Sequence, residues 1–321
     1  MEEYGGYLPF DLRSGSEFYE GKNVIALNCA RNGIIYSILD GKYKAIYIPF
    51  YMCQTVRDAL RQHGIQYKIY HFDEKFEPLN VELKKEECIL FPNYYGLFND
   101  VKIENLVDQY KNVILDNTQA FFATPDKRAY NVYSCRKFIG VSDGAYVIKE
   151  NIGHQRYKKD ISFRRVQYLF KSIELGTNNA YIDSLRAEED LSASPILEMS
   201  VLTHNFLKNV DYIEIKKKRK RNFEALNNFF SGTGISHISL SNECVPMIYP
   251  LYIENSKLRE ALITNRIYIP QWWKYLLESD EINEFESKLV KYLFPLPIDQ
   301  RYETADVIDM AERINKILQE I

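Results

Sequence analysis

Residues 112–119 read Asn-Val-Ile-Leu-Asp-Asn-Thr-Gln, a short apolar run that ends in polar residues. A second apolar run, over 130–133, ends in the same way at Ser134. Short apolar runs that alternate with amphipathic segments predict the buried strands of a largely parallel sheet. Because ligands gather at the carboxyl ends of such strands, we expect the residues that follow them to line one cleft.

The same alternation extends through the first half of the chain. The order is typical of a three-layer α/β/α domain, in which helices cover both faces of a mostly parallel sheet. Strands are predicted at 24–27, 45–48, 66–70, 88–91, 112–115, 130–133 and 145–148, and helices at 32–39, 55–62 and 103–110.

The segment from 150 to about 195 is polar and less regular. It indicates either a mobile loop or a helical insertion near a subunit contact. Apolar residues then recur at near-helical spacing from Leu202 onwards, which predicts one long helix over about 197–230.

The C-terminal part changes to an α+β pattern, with a strand predicted at 247–253 and a last helix at 305–319. We therefore expect a large domain at 1–205 and a smaller α+β domain at 206–321, with the long helix linking them.

The composition is that of an ordinary globular protein, with 46% hydrophobic and 26% charged residues. A formal net charge of -3 gives no general attraction to nucleic acid or to anionic membranes. No stretch approaches the ~20 apolar residues of a membrane span, and the N-terminus lacks the pattern of a targeting sequence. The five cysteines form no CxxC pair and the histidines are scattered. We therefore expect reduced thiols, no metal site and a cytoplasmic location.

One basic run, Lys-Lys-Lys-Arg-Lys-Arg at 216–221, could instead indicate a nucleic-acid binder. A charge run on a helix is usually a solvated face. Because no nucleic-acid motif accompanies the run, we expect no nucleic-acid partner.

Lys137 lies in a loop between two predicted strands, and Asp116 follows another strand. An amine and a carboxylate in one cleft are the pair that a pyridoxal 5′-phosphate (PLP) site needs. The amine forms a Schiff base, and the acid keeps the pyridine nitrogen protonated. The alternatives are a solvated surface lysine for Lys137, and an Asx turn or helix N-cap for Asp116.

The turn at 28–33 joins a predicted strand to a helix through small residues. Backbone N–H groups of Cys29, Ala30 and Arg31 could bind a phosphate at the start of that helix, and Ser134 could add a hydroxyl. The turn lacks the glycine patterns of dinucleotide-binding and P-loop motifs.

Five further residues follow predicted strands and are weaker candidates. Gln119 could hydrogen-bond the phenolic oxygen of the cofactor or stack near it. Tyr51 could stack on the cofactor ring, or Cys53 or Met52 could pack there instead. Tyr95 and Gly96 could contact substrate. Each could equally be a loop or core residue.

Together these residues resemble the DegT/DnrJ/EryC1/StrS family of PLP-dependent sugar aminotransferases, which have the aspartate-aminotransferase-like (type I) fold. Residues 116–120 are similar to its Asp-Ala-Ala-Gln-Ala motif, 28–31 to its Asn-Ser-Gly-Thr phosphate turn, and 134–144 to its Ser…Lys…Gly-Gly segment. Weaker similarities lie at 5–7, 198–200 and 297–302.

The chain departs from the family at Cys29 and Ala30, where Ser and Gly are usual, and at Ala145, which replaces the second Gly. The spacing from Ser134 to Lys137 is also two residues shorter than in the common form. The resemblance implies PLP as cofactor, an amino-acid donor such as glutamate, and a keto-sugar or sugar-like acceptor. It also implies a homodimer with shared active sites. Another PLP-dependent reaction, or a non-catalytic scaffold descended from such an enzyme, remains open.

Overall fold

The computed structural model of the chain describes residues 4–8, 10–12 and 15–321. Residues 1–3 of the N-terminus, where a targeting sequence was sought, lie outside the described residues, whereas the stretch 5–7 lies within them. The strands are β1 (Val24–Leu27), β2 (Ala45–Pro49), β3 (Gln66–Tyr70), β4 (Glu87–Pro92), β5 (Val113–Asn117), β6 (Tyr130–Ser134), β7 (Ala145–Ile148), β8 (Ile248–Tyr252) and β9 (Leu293–Pro297). The helices are α1 (Ala30–Asp40), α2 (Gln54–Gln62), α3 (Asp100–Tyr110), α4 (Gln167–Leu175), α5 (Thr177–Ala193), α6 (Val201–Leu207), α7 (Tyr212–Gly232), α8 (Leu258–Thr264), α9 (Glu284–Tyr292) and α10 (Thr304–Glu320).

Seven strands form one sheet in the order β1-β7-β6-β5-β4-β2-β3. Strands β3, β2, β4, β5 and β6 are parallel to one another, whereas β7 is antiparallel to both of its neighbours. The carboxyl ends of β1, β2, β4, β5 and β6 therefore lie on one edge, together with the start of β7.

Both faces of this sheet are buried, because successive side chains of a strand point to opposite sides. In β4, Ile89 and Phe91 belong to one hydrophobic core, and Cys88 and Leu90 belong to the other. Helix α3 packs into the first core, and α1 and α2 pack into the second. The predicted three-layer α/β/α architecture with a mostly parallel sheet is confirmed.

The C-terminal part has a separate core around the two-stranded antiparallel sheet of β8 and β9. Helices α7, α8 and α10 cover this sheet, so the α+β character expected there is present. The domain boundary at 205/206 stays a prediction.

The single helix predicted over about 197–230 is wrong, because two helices, α6 and α7, occupy this range. Each begins at its own polar cap: the Ser200 side chain accepts a hydrogen bond from Thr203 N, and the Asp211 side chain accepts one from Glu214 N. Such caps favour a new helix start over a continuous helix.

The segment from 150 to about 195 contains the helical insertion, one of the two alternatives considered above. Helices α4 and α5 form a hairpin that turns at Gly176, where φ is +82°. A positive φ is readily adopted by glycine, which has no Cβ.

Helix α1 lies very close to the sheet. A Cβ atom placed on Gly33 would come within 2.9 Å of Val132 Cγ1 and 3.0 Å of Val147 Cγ2. The absence of a side chain at Gly33 therefore lets the start of α1 approach β6 and β7 closely.

We expect Gly33→Ala to lower the free energy of unfolding by about 1–3 kcal/mol, because the added methyl group overpacks the contact with β6 and β7. Gly232→Ala is the matched control, since this helical glycine has no atom within 4 Å of the added Cβ. It should leave stability unchanged or raise it by about 0.5–1 kcal/mol. Urea unfolding measures both, and equal losses would contradict the close contact of α1.

Candidate active site

A cavity of about 280 Å³ opens at the edge of the sheet where β4, β5 and β6 end. The wall contains eight of the eleven residues that the sequence suggested, and their roles stay predictions. These eight are Cys29, Ala30, Arg31, Cys53, Asp116, Gln119, Ser134 and Lys137.

Thr118 links the carboxylate and the amine of this set. Asp116 is buried, and its Oδ1 accepts a hydrogen bond of 3.0 Å from Thr118 N. The hydroxyl of Thr118 in turn accepts a hydrogen bond of 3.3 Å from Lys137 Nζ. Lys137 as a whole is an exposed residue, but its amine is directed towards the turn that follows Asp116. The Asx turn considered for Asp116 is therefore present alongside its place in the cavity wall.

The loop that carries Lys137 is fixed at both ends. Cys135 N donates to Gly144 O at 3.1 Å, and Gly144 N donates to Asn28 O at 2.6 Å. Gly144 has φ of +117°, and a Cβ there would lie 3.1 Å from a side-chain carbon of Thr203. Glycine is thus required where this loop meets β7 and α6.

The start of α1 forms the second part of the wall. Cys29 is the N-cap residue, and its side chain makes no capping hydrogen bond. The first turn of a helix has N–H groups without intrahelical partners, and these together with the helix dipole favour an anion. Ser134, at the end of β6, lines the same cavity and is buried.

The other three candidates, Tyr51, Tyr95 and Gly96, are not among the residues that line the cavity, and their roles stay predictions. Tyr51 is fully buried, and its ring centroid is 4.5 Å from that of Trp273, which lines the cavity in its place. Tyr95 N donates to Gln119 Oε1 at 2.9 Å, and a Cβ on Gly96 would lie 2.8 Å from Gln119 O. Their contacts are thus with the wall itself.

The hydroxyls of Tyr51 and Tyr95 lie 3.4 Å apart. Burial raises the pKa of both groups well above the ordinary tyrosine value. They therefore stay protonated and serve as hydrogen-bonding groups of the core.

Sequence reasoning missed two cavity residues that come from distant parts of the chain, Trp273 and Glu188. Trp273 follows α8 and has a left-handed backbone, with φ of 55°. The chain has only two tryptophans, and they are adjacent; this unusual pair could have drawn attention to the segment. Glu188 lies on α5, whose pattern gave no such indication.

The basic run at 216–221 is largely engaged within the protein. Lys218 and Arg221 both pair with Glu303, and Arg219 is buried, with NH1 donating to a backbone carbonyl at 2.9 Å. These contacts favour a structural role for the run over a nucleic-acid surface.

Among the described residues, no helix is both long and apolar enough to cross a membrane. Within the same ranges, no three His, Cys, Asp or Glu side chains are grouped so that they could hold a metal ion.

Neither a family model nor a curated relative matches the chain, but solved structures do. The putative sugar aminotransferase Spr1654 from Streptococcus pneumoniae, in its PLP form, superposes with a TM-score of 0.65 at 12% identity, covering 92% of this chain and 87% of that one. The chain has the fold of a sugar aminotransferase.

Two further structures agree. The sugar aminotransferase CalS13 from Micromonospora echinospora matches with a TM-score of 0.63 at 11% identity, over 92% of this chain and 87% of that one. A DegT DnrJ EryC1 StrS aminotransferase from Brucella abortus gives 0.58 at 11% identity, over 91% and 85%. At this identity the likeness establishes the fold, and the activity must be argued from the site.

We expect Gln119→Leu to lower the free energy of unfolding by about 1–3 kcal/mol, because it leaves the buried N–H of Tyr95 without an acceptor. Gln54→Leu is the control, since Gln54 Nε2 donates to Asp58 Oδ1 on a partly exposed helix surface, where we expect a change within about 0.5 kcal/mol. Urea unfolding compares them. Similar small changes would show that Gln119 does not hold the turn at Tyr95.

Proposed function

We propose that this chain is a PLP-dependent aminotransferase that moves an amino group from an amino acid, with glutamate as the donor, to a keto-sugar or sugar-like ketone. The observation that carries the proposal is the meeting of three features in one cavity: the Lys137 amine, the buried Asp116 carboxylate and the uncapped start of α1. The volume of about 280 Å³ is near the lower end of small-molecule sites, roughly 300–1,000 Å³.

The residues present fit PLP chemically. The first-turn N–H groups of α1, at Ala30 and Arg31, suit a phosphate dianion, and the Ser134 hydroxyl adds a donor. Asp116 supplies a carboxylate for the basic ring nitrogen, and Lys137 supplies the amine that an aldehyde requires. Each part of the cofactor thus has a partner of matching chemistry.

PLP, when bound, withdraws electrons from the α-carbon of an amino acid. Asp116 would hold a proton on the pyridine nitrogen, which increases that withdrawal. Lys137 Nζ would carry a proton to and from the substrate carbon as a general acid and base. Thr118 Oγ1, which accepts from Nζ at 3.3 Å, orients the amine for this task.

The sugar-like acceptor is supported by the names of the structural neighbours. One of them, DesI, was crystallised in the presence of its TDP-sugar product and shares 12% identity with this chain. Glutamate as donor rests on the family resemblance. Both assignments belong to the proposal.

We further propose that the protein is a cytoplasmic homodimer whose subunits meet at the α4–α5 hairpin. All five cysteines are free, which is usual for a reducing compartment. Eight large exposed apolar side chains lie between 161 and 185, on and just before the hairpin, and a surface rich in exposed apolar side chains is typical of an interaction site. They are Ile161, Phe163, Phe170, Ile173, Leu175, Tyr181, Ile182 and Leu185.

The decisive experiment compares Lys137→Ala with the unsubstituted protein after incubation with PLP. We expect the protein to show the visible absorbance of lysine-bound cofactor, and glutamate to convert the cofactor to its amine form with release of 2-oxoglutarate. Lys137→Ala should lose both, whereas Lys217→Ala, at an exposed position of α7, should keep both. A protein that stays colourless would support the non-catalytic scaffold. Loaded cofactor that no amino acid converts would support another PLP-dependent reaction.

For the homodimer, we expect Ile173→Asp to shift the protein from dimer to monomer, because it buries a charge in an apolar contact. Ile213→Asp is the matched control: Ile173 is 80% exposed and Ile213 on α7 is 81% exposed. Analytical ultracentrifugation measures the mass. A monomeric unsubstituted protein, or equal effects of both substitutions, would contradict this interface.

A further inference from the structure

Glu188 contacts two arginines from separate parts of the chain. Its Oε2 pairs with Arg136 NH2, and its Oε1 lies 3.7 Å from Arg31 NH2. All three side chains line the cavity described above. One carboxylate from α5 therefore joins the first turn of α1 to the loop that carries Lys137.

The two arginines flank the place where an anion is expected. Arg31 is the second residue of α1, beside the uncapped helix start, and Arg136 directly precedes Lys137. Arg136 Nε is buried and has no hydrogen-bond partner among the described residues. Two guanidinium groups beside a helix N-terminus thus share one carboxylate, which leaves an excess of positive charge and a spare donor.

Glu188 is held weakly enough to leave. Its side chain is 45% exposed, and partly exposed ion pairs contribute little to stability. The hairpin that carries it has a small apolar contact with the rest of the protein: α4 has no buried residue, and α5 buries only Ala180, Ala187 and Leu191. Arg31 has a second contact to α5, because its NH1 donates to Ser192 Oγ at 3.0 Å.

We propose that Arg31 and Arg136 form a binding pair for a phosphate monoester, and that Glu188 is an internal competitor that fills this pair until the ligand binds. Identification of that ligand as the phosphate of PLP rests on the proposed function. A phosphate dianion offers more acceptor oxygens than a carboxylate and also suits the N–H groups of α1. Phosphate binding then displaces Glu188 and loosens the contact of α5 with the cavity.

The direction in which one substitution changes phosphate affinity tests this competition. Glu188→Gln removes the competing charge, so it should tighten the binding of PLP and of inorganic phosphate to cofactor-free protein by about three- to tenfold. Pyridoxal, which lacks the phosphate, should bind unchanged. Glu189→Gln is the matched control, because Glu189 is the next residue of α5, is exposed and does not line the cavity. Calorimetry with inorganic phosphate and absorbance titrations with PLP and pyridoxal measure the affinities.

If Glu188 merely oriented the two arginines, its replacement by Gln would weaken phosphate binding instead of tightening it. Weaker or unchanged phosphate binding in Glu188→Gln, or an equal change for PLP and pyridoxal, overturns the inference. Arg136→Gln is a second variant and should weaken phosphate binding about tenfold; its failure to do so also overturns the inference. Thermal unfolding of each variant checks that it is folded.

The calorimetric arm separates this inference from the proposed function. If inorganic phosphate binds more tightly to Glu188→Gln but PLP never attaches to Lys137, the proposed function fails and the phosphate pair stands. If PLP attaches and supports amino transfer but Glu188→Gln does not tighten phosphate binding, the proposed function stands and the competitor role fails.

Discussion

The fully buried carboxylate of Asp143 connects the loop after β6 to the start of α6. Its Oδ2 accepts a hydrogen bond of 2.9 Å from Ser200 N, its Oδ1 accepts one of 2.9 Å from Ser200 Oγ, and the Thr203 hydroxyl also donates to Oδ1. A carboxylate can be buried only where such donors replace water. The loop must therefore stay against α6, and Lys137, which it carries, stays over the cavity. The rest of the site depends on this contact, because the other polar groups are useful only if the amine remains beside them.

The charged side chains around the cavity come from different elements of the fold. Asp116 comes from the middle of the sheet, Lys137 from the loop beside it, and Arg31 from a helix that Gly33 allows to lie unusually near the strands. Glu188 comes from the hairpin and pairs with Arg31 and Arg136. Because the acid near β5 and the acid on α5 are on different elements, they can act on different parts of a bound molecule. In the proposed function Asp116 would pair with a basic ring nitrogen, and in the proposed competition Glu188 would give way to an anion.

The sequence was sufficient for the features that depend on local pattern. The strand at Val24–Leu27 has the predicted limits, because a short apolar run in an alternating α/β sequence is typical of a buried strand. The helix break before α7 was not predicted, because Leu207 and Ile215 pack into the same core from two helices and the apolar spacing continues across the break. The cavity residues next to strand ends were predictable from topology. Trp273 was not, because it reaches the cavity through tertiary packing of the C-terminal part, where its ring packs against that of Tyr51.

The reversed direction of β7 limits how far the backbone at Lys137 can move. Parallel neighbours must be joined by a crossover of about a dozen or more residues, usually with a helix, whereas antiparallel neighbours need only a short connection. Since β7 is antiparallel to β6 and pairs Ala145 with Ser134, the chain leaves one strand and enters the adjacent one on the same edge. Lys137 therefore lies in a loop whose two ends, Ser134 and Ala145, are paired side by side in the sheet. Its amine can swing through side-chain rotation, while the backbone beneath it has little freedom to drift.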